Sequence, residues 1–215
     1  MQLTKLRAAP VLQAEVPPCA PAGRMDGGTA SQLIRECSAD LRERGLDLGD
    51  VEIVITDRSG AGEILCSPRR CAEFAYVVSI GDPGERPPAG WRKAPHRLRL
   101  EFEDRLLESD GGPTKQDVER LVRFAQEIEA GKGGVLVHCQ GGISRSTAAG
   151  AIILAVLLGS GREADVLREV YRLQPRALPN GRMLEHADTV LGRNSALTQA
   201  AALAAEAGRR TTRCS

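Results

Sequence analysis

Residues 135–158 pass through three regimes that leave a chain few choices of fold. Val135-Leu136-Val137 is wholly apolar, residues 138–146 carry the Gly141-Gly142 pair, and Ala148 to Leu158 is a continuous apolar run. A short strand without polar alternation is buried on both faces, as interior strands of parallel sheets are. The apolar run is too short to span a bilayer and suits a helix packed inside a core. Strand, glycine-bearing loop and buried helix in that order predict an α/β fold, with a central mainly parallel sheet flanked by helices.

The rest of the chain extends this pattern. Residues 51–55 alternate as a strand, residues 74–80 read as a more buried one, and 96–102 place Leu98, Leu100 and Phe102 on one side. Thr114 with Asp117 forms a capping box for a helix ending at Gly131, with Val118, Leu121, Val122, Ala125 and Ile128 as its stripe. Ser160 with Glu163 predicts a second box, for a helix stopped before Pro175, and Asn180 a cap for one more. Three regions follow. Residues 1–48 form a loosely ordered arm, rich in Pro and Gly, with one helix over 31–44; residues 49–193 form the domain; residues 194–215 form an Ala-rich tail, helical and fraying over 196–207.

The loop His138-Cys139-Gln140-Gly141-Gly142-Ile143-Ser144-Arg145-Ser146 has a chemistry that its residues dictate. It presents successive backbone N–H groups at the start of a helix, where the macrodipole also favours negative charge. The two glycines let the backbone turn tightly and approach an anion closely. Arg145 supplies a planar fork for two oxygens of a phosphate or sulfate. Cys139 lies at the base of this cradle, so the same groups favour its thiolate and make it a nucleophile at neutral pH.

By average residue usage, His-Cys-x-x-Gly-x-x-Arg-Ser/Thr arises by accident in a chain of this length with odds on the order of 10⁻⁵. On that loop the sequence resembles the cysteine-dependent protein tyrosine phosphatases, in their compact, bacterial-type dual-specificity-like branch, over residues 51–192. The resemblance implies a phosphocysteine intermediate, with no metal and no cofactor. It makes Cys139 the nucleophile, Arg145 the phosphate clamp and Ser146 the stabiliser of the departing thiolate. His138 would buttress the loop and help to activate Cys139. The backbone amides of Gln140, Gly141, Gly142, Ile143, Ser144 and Arg145 would bind the equatorial oxygens. An acid is also needed, because an alkoxide or phenoxide leaves poorly unless protonated. Asp104 ends the 96–102 strand 35 residues before Cys139, where the resemblance expects that acid. Glu103 and Asp110 are its rivals, and Asp82, followed by Pro83, reads as a turn former. The turn Leu178-Pro179-Asn180-Gly181 is similar to the Pro-Asn turn of the same branch and reads as structural support.

Composition narrows the partners. A net charge of +1 and 3% aromatic residues provide neither a field nor a stacking platform for nucleic acid, and no feature suggests a membrane. Six scattered cysteines, three histidines and no CxxC spacing read as reduced thiols without a metal site. Cys66 and Cys71 could guard Cys139 as a redox partner, although core or loop thiols are the plainer reading. With no apolar stretch before Pro10 the chain reads as cytoplasmic, and nothing in it sets an oligomeric state. The expected substrate is a phosphorylated protein, phosphotyrosine or mixed, or a small phosphomonoester, since no Lys stands between Cys139 and Arg145 to favour highly charged inositol phosphates. A rhodanese-type sulfurtransferase, which would need neither Ser146 nor Asp104, and a phosphate-binding module without turnover are the alternatives.

Overall fold

The computed structural model describes residues 51–130 and 132–213, with side chains as far as residue 206. The arm expected over 1–48, with its helix over 31–44, lies outside the described residues. Among the described residues four strands, β1 (Ile53–Thr56), β2 (Phe74–Gly81), β3 (His96–Glu101) and β4 (Gly134–His138), form one sheet. Their order is β1-β4-β2-β3 and every pairing is parallel. The sheet is therefore wholly parallel where a mainly parallel one was expected. Both interior strands carry the burial that such a position demands: β4 is buried throughout, with Val135, Leu136 and Val137 at 0% exposure, and β2 is buried at every residue but Ala75.

Among the described residues six helices of more than one turn surround the sheet: α1 (Arg58–Cys66), α2 (Lys115–Gln126), α3 (Arg145–Leu158), α4 (Glu163–Leu173), α5 (Gly181–Leu191) and α6 (Ala196–Arg213). Strand alternation divides the core. Tyr76, Val78, Ile80, Leu98, Leu100, Val135 and Val137 pack with the buried stripes of α2, α3, α4 and α5. Phe74, Val77 and Leu136 point the other way, onto Ala61, Ile64 and Leu65 of α1. The helix α3 is buried continuously from Arg145 to Ala155, as its apolar sequence requires. Among the described residues no helix is long and apolar enough to cross a membrane.

Local signals explain most boundaries. The Thr114–Asp117 capping box is present, with the Asp117 N–H donating to Thr114 Oγ1 at 3.2 Å and the Thr114 N–H to Asp117 Oδ2 at 3.1 Å. Asn180 caps α5 by accepting from the Met183 N–H at 3.1 Å. The structure departs from expectation in four places. First, α1 was not anticipated; Asp57 starts it by accepting from the Gly60 N–H at 2.7 Å. Second, α2 ends at Gln126, short of Gly131, although Ile128 is still buried. Third, the Ser160–Glu163 box does not form. Arg162 occupies the cap position of α4, and Glu163 Oε1 accepts instead from the Gly161 N–H (3.3 Å) and from Arg193 Nη1 (2.5 Å). Arg193 also donates to the Ala155 and Gly159 carbonyls, so one guanidinium closes the end of α3 and engages the start of α4. Fourth, the Ala-rich segment is docked where it begins. Leu197 is fully buried, and Asp188 on α5 accepts from the N–H groups of Leu197 and Thr198 at 2.9 and 3.0 Å, capping α6 from a neighbouring helix.

Candidate active site

Parallel strands all end on one edge of a sheet, and the loops leaving that edge carry the polar residues singled out from the sequence. The β4–α3 loop is anchored from beneath. The Arg58 N–H at the start of α1 donates to the Gln140 carbonyl (3.4 Å), and the Leu178 and Asn180 N–H groups donate to the carbonyls of Ile143 and Ser144. Gly142 takes φ +70°, and a Cβ there would stand 2.6 Å from Asp57 N. Only glycine fits a cradle pressed so closely against the β1–α1 junction.

Cys139 is buried at the base of this cradle. Its Sγ accepts from the Gly142 N–H at 3.2 Å and lies 3.2 Å from Ser146 Oγ. Two polar hydrogens can therefore converge on a thiolate before any ligand arrives. Arg145 is buried as well, at 4% exposure. Its Nη1 donates to Asp82 Oδ1 (2.7 Å) and to the Phe102 carbonyl (2.6 Å), while its Nε is buried without a hydrogen-bond partner. A buried guanidinium N–H without an acceptor is costly, and an oxyanion seated on the loop would supply one.

His138 is buried directly before Cys139. Its Nδ1 lies 3.3 Å from the Cys139 carbonyl, a contact that steadies the loop. Burial, with the nearby Arg99 and Arg58 charges, pulls its pKa from 6.5 down to about 4. The ring is therefore neutral near pH 7 and offers no positive charge to a thiolate.

Of the candidate carboxylates, only Asp104 lines the cleft above Cys139, a space of about 430 Å³ that Arg145, Ile143, Leu178 and Asn180 also line. Its Oδ1 accepts from Ser144 Oγ (2.7 Å) and Asn180 Nδ2 (2.8 Å). Glu103 pairs with Arg105, and Asp110 accepts from Ser109, both outside the cleft. Asp82 is more than a turn former, because it grips Arg145 across 63 residues of sequence. The parallel pairing of β2 with β4, Ser79 opposite His138, is what brings it there. Neither Cys66 nor Cys71 lines the cleft. The helix α1 begins at the cradle and descends nine residues at about 1.5 Å each, which carries Cys66 roughly 12 Å away. Among the described residues no cluster of His, Cys, Asp and Glu could hold a metal ion.

No protein-family model matches this sequence, and no curated protein matches it. Solved structures do resemble the fold. Tk-PTP in its active form overlays with a TM-score of 0.48 at 23% identity, covering 67% of this chain and 93% of that one. Human DUSP28 overlays at 0.49 and 17% identity, covering 65% and 91%. The Yvh1 phosphatase domain from Chaetomium thermophilum overlays at 0.46 and 18% identity, covering 69% and 94%. Likenesses of this size carry no weight about chemistry, which rests on the atoms of the cleft.

Proposed function

We propose that this protein is a metal-independent hydrolase of phosphate monoesters that works through Cys139. The observation that carries the reading is the buried Cys139 Sγ, met at 3.2 Å by both the Gly142 N–H and Ser146 Oγ, in a cleft also lined by Arg145 and Asp104. In the first step the Cys139 thiolate attacks phosphorus; an S–P bond forms, the ester P–O bond breaks, and a proton passes from Asp104 to the leaving oxygen. Arg145 and the loop N–H groups take up the charge on the equatorial oxygens. In the second step Asp104 receives a proton from water as its oxygen attacks phosphorus. The S–P bond breaks and Ser146 Oγ–H donates to the departing sulfur.

The substrate we propose is a phosphorylated protein, with phosphotyrosine favoured. Residues 140–144 supply no basic side chain for extra phosphates. The cleft wall is apolar at Leu106, Ile143, Leu178 and Pro179, and Leu106 and Leu178 are 62% and 67% exposed, which suits the face of an aryl leaving group.

The test is hydrolysis of p-nitrophenyl phosphate in EDTA by wild type and by Cys139→Ser, beside vanadate binding. Turnover by wild type alone supports the proposal. Vanadate binding without turnover would make the chain a phosphate-binding module, and sulfur transfer from thiosulfate to cyanide would make it a sulfurtransferase.

A further inference from the structure

The turn at residues 178–180 does more than start a helix. Asn180 is buried at 4% exposure with its side chain engaged at both ends. Its Oδ1 caps α5 through the Met183 N–H, while its Nδ2 donates to Asp104 Oδ1 (2.8 Å) and to the Arg105 carbonyl (3.2 Å). Its own N–H donates to the Ser144 carbonyl (3.4 Å), which ties the turn to the cradle. The other donor to Asp104 Oδ1 is Ser144 Oγ, at 2.7 Å. Asp104 itself is exposed and lies outside regular structure, so these bonds hold a carboxyl group that packing does not.

We infer that Asn180 is a positioning residue for the acid: by donating, with Ser144, to Asp104 Oδ1, it assigns the transferable proton to Oδ2 and fixes where that oxygen points. The inference rests on Asp104 being the acid of the proposed reaction. An oxygen that accepts two hydrogen bonds is a poor place for a proton, so Oδ2 is the oxygen that protonates the leaving group and later accepts the proton of water. Orientation of this kind is worth large factors in rate, because a displacement of about 1 Å in a reacting group can cost about 100-fold.

The experiment separates acting through Asp104 from merely supporting the fold. Asn180→Ser keeps an oxygen to cap α5 and removes the donor that reaches Asp104. Its kcat is compared on p-nitrophenyl phosphate, which leaves readily, and on phenyl phosphate, which needs the acid more. The expected loss is about 10-fold on phenyl phosphate and under about 3-fold on p-nitrophenyl phosphate. In an Asp104→Asn background, Asn180→Ser should cost nothing further with either ester. Ser144→Ala, which removes the second donor and leaves the α5 cap intact, should show the same leaving-group signature even if Asn180→Ser folds poorly. Equal losses on both esters, or losses that multiply with those of Asp104→Asn, would overturn the inference and leave the acid in place. If Asp104→Asn itself is indifferent to the leaving group, the acid assignment falls and the inference falls with it.

Discussion

Between His138 and Thr147 most of the side chains that carry chemistry are buried, whereas from Asp104 to Gly111 the chain lies exposed. These two segments face one cleft and are held in place by different means. The cradle is fixed from within: Cys139, Arg145, Ser146 and Thr147 are all under 5% exposed, at the junction of an interior strand and a buried helix. The loop after β3 is closed by backbone bonds of its own, such as Glu103 N–H to the Gly111 carbonyl at 2.8 Å and Gly112 N–H to the Leu107 carbonyl at 3.0 Å, but its residues from Asp104 to Gly111 stay exposed. Its one cleft-facing carboxylate is placed by donors borrowed from the cradle and from α5. A nucleophile and an anion clamp need rigid placement from the start, while an acid that must meet many leaving groups can be carried on a softer arm.

The sharpest way to break this contrast is the same substitution in both segments. Gly142→Ala places a Cβ 2.6 Å from Asp57 N and 2.7 Å from Thr56 C, at φ +70°. It should cost about 2–5 kcal/mol and abolish vanadate binding, read by urea denaturation and titration. Asp82→Asn comes next. It removes the charge that holds Arg145 Nη1 at 2.7 Å, and should lower kcat/KM on p-nitrophenyl phosphate about 10-fold while moving Tm by no more than about 2 °C, since Asp82 is itself half exposed. Gly111→Ala is the softer counterpart of the cradle variant. Its φ is +81° but the nearest neighbour of a new Cβ is the flexible Glu103 side chain at 3.6 Å, so about 1 kcal/mol of stability should be lost and vanadate binding kept.

The smallest effect sets the cradle against the opposite end of the sheet along the pH axis. His138 is held at about 4, below its unfolded 6.5, so its contribution is present above pH 6.5 and is lost as pH falls through that range toward 4. Glu52, at the start of β1, is raised to about 7, mainly by burial and then by Glu73, against the opposing pull of Arg70. Its contribution is present below pH 4.5 and is lost as pH rises through 7. Glu52→Gln should therefore raise stability at pH 8 more than at pH 5 and leave p-nitrophenyl phosphate hydrolysis unchanged. Denaturation midpoints at the two pH values check this, and an equal shift at both would refute it.

The legible parts of the sequence were those written in short-range signals. Thr114 and Asp117 announced α2, Asn180 announced α5, and the wholly apolar run Val135 to Val137 announced an interior strand. Cys139 and Arg145 were readable because the loop carries its chemistry within eight residues. What could not be read depended on partners far along the chain. The apolar positions of α1 are few and Gly60 and Gly62 interrupt them, so only the Asp57 cap marked it. The Ser160 box was outcompeted by Arg193, 30 residues beyond Glu163. Asp82 looked like a turn former because its link to Arg145 exists only once β2 lies beside β4. Asn180 showed its cap in the sequence and hid its bond to Asp104, 76 residues upstream.

The strand order β1-β4-β2-β3 also governs when such a site can come into being. Among the described residues the last strand is an inner one, and β1 pairs with β4 alone. The slot between β1 and β2 can therefore be filled only once residue 138 has been made. Asp82, Asp104 and Cys139 follow three different strands, and filling that slot brings their loops to one edge of the sheet. A chain cut before β4 therefore lacks both the cradle and the strand that joins β1 to β2.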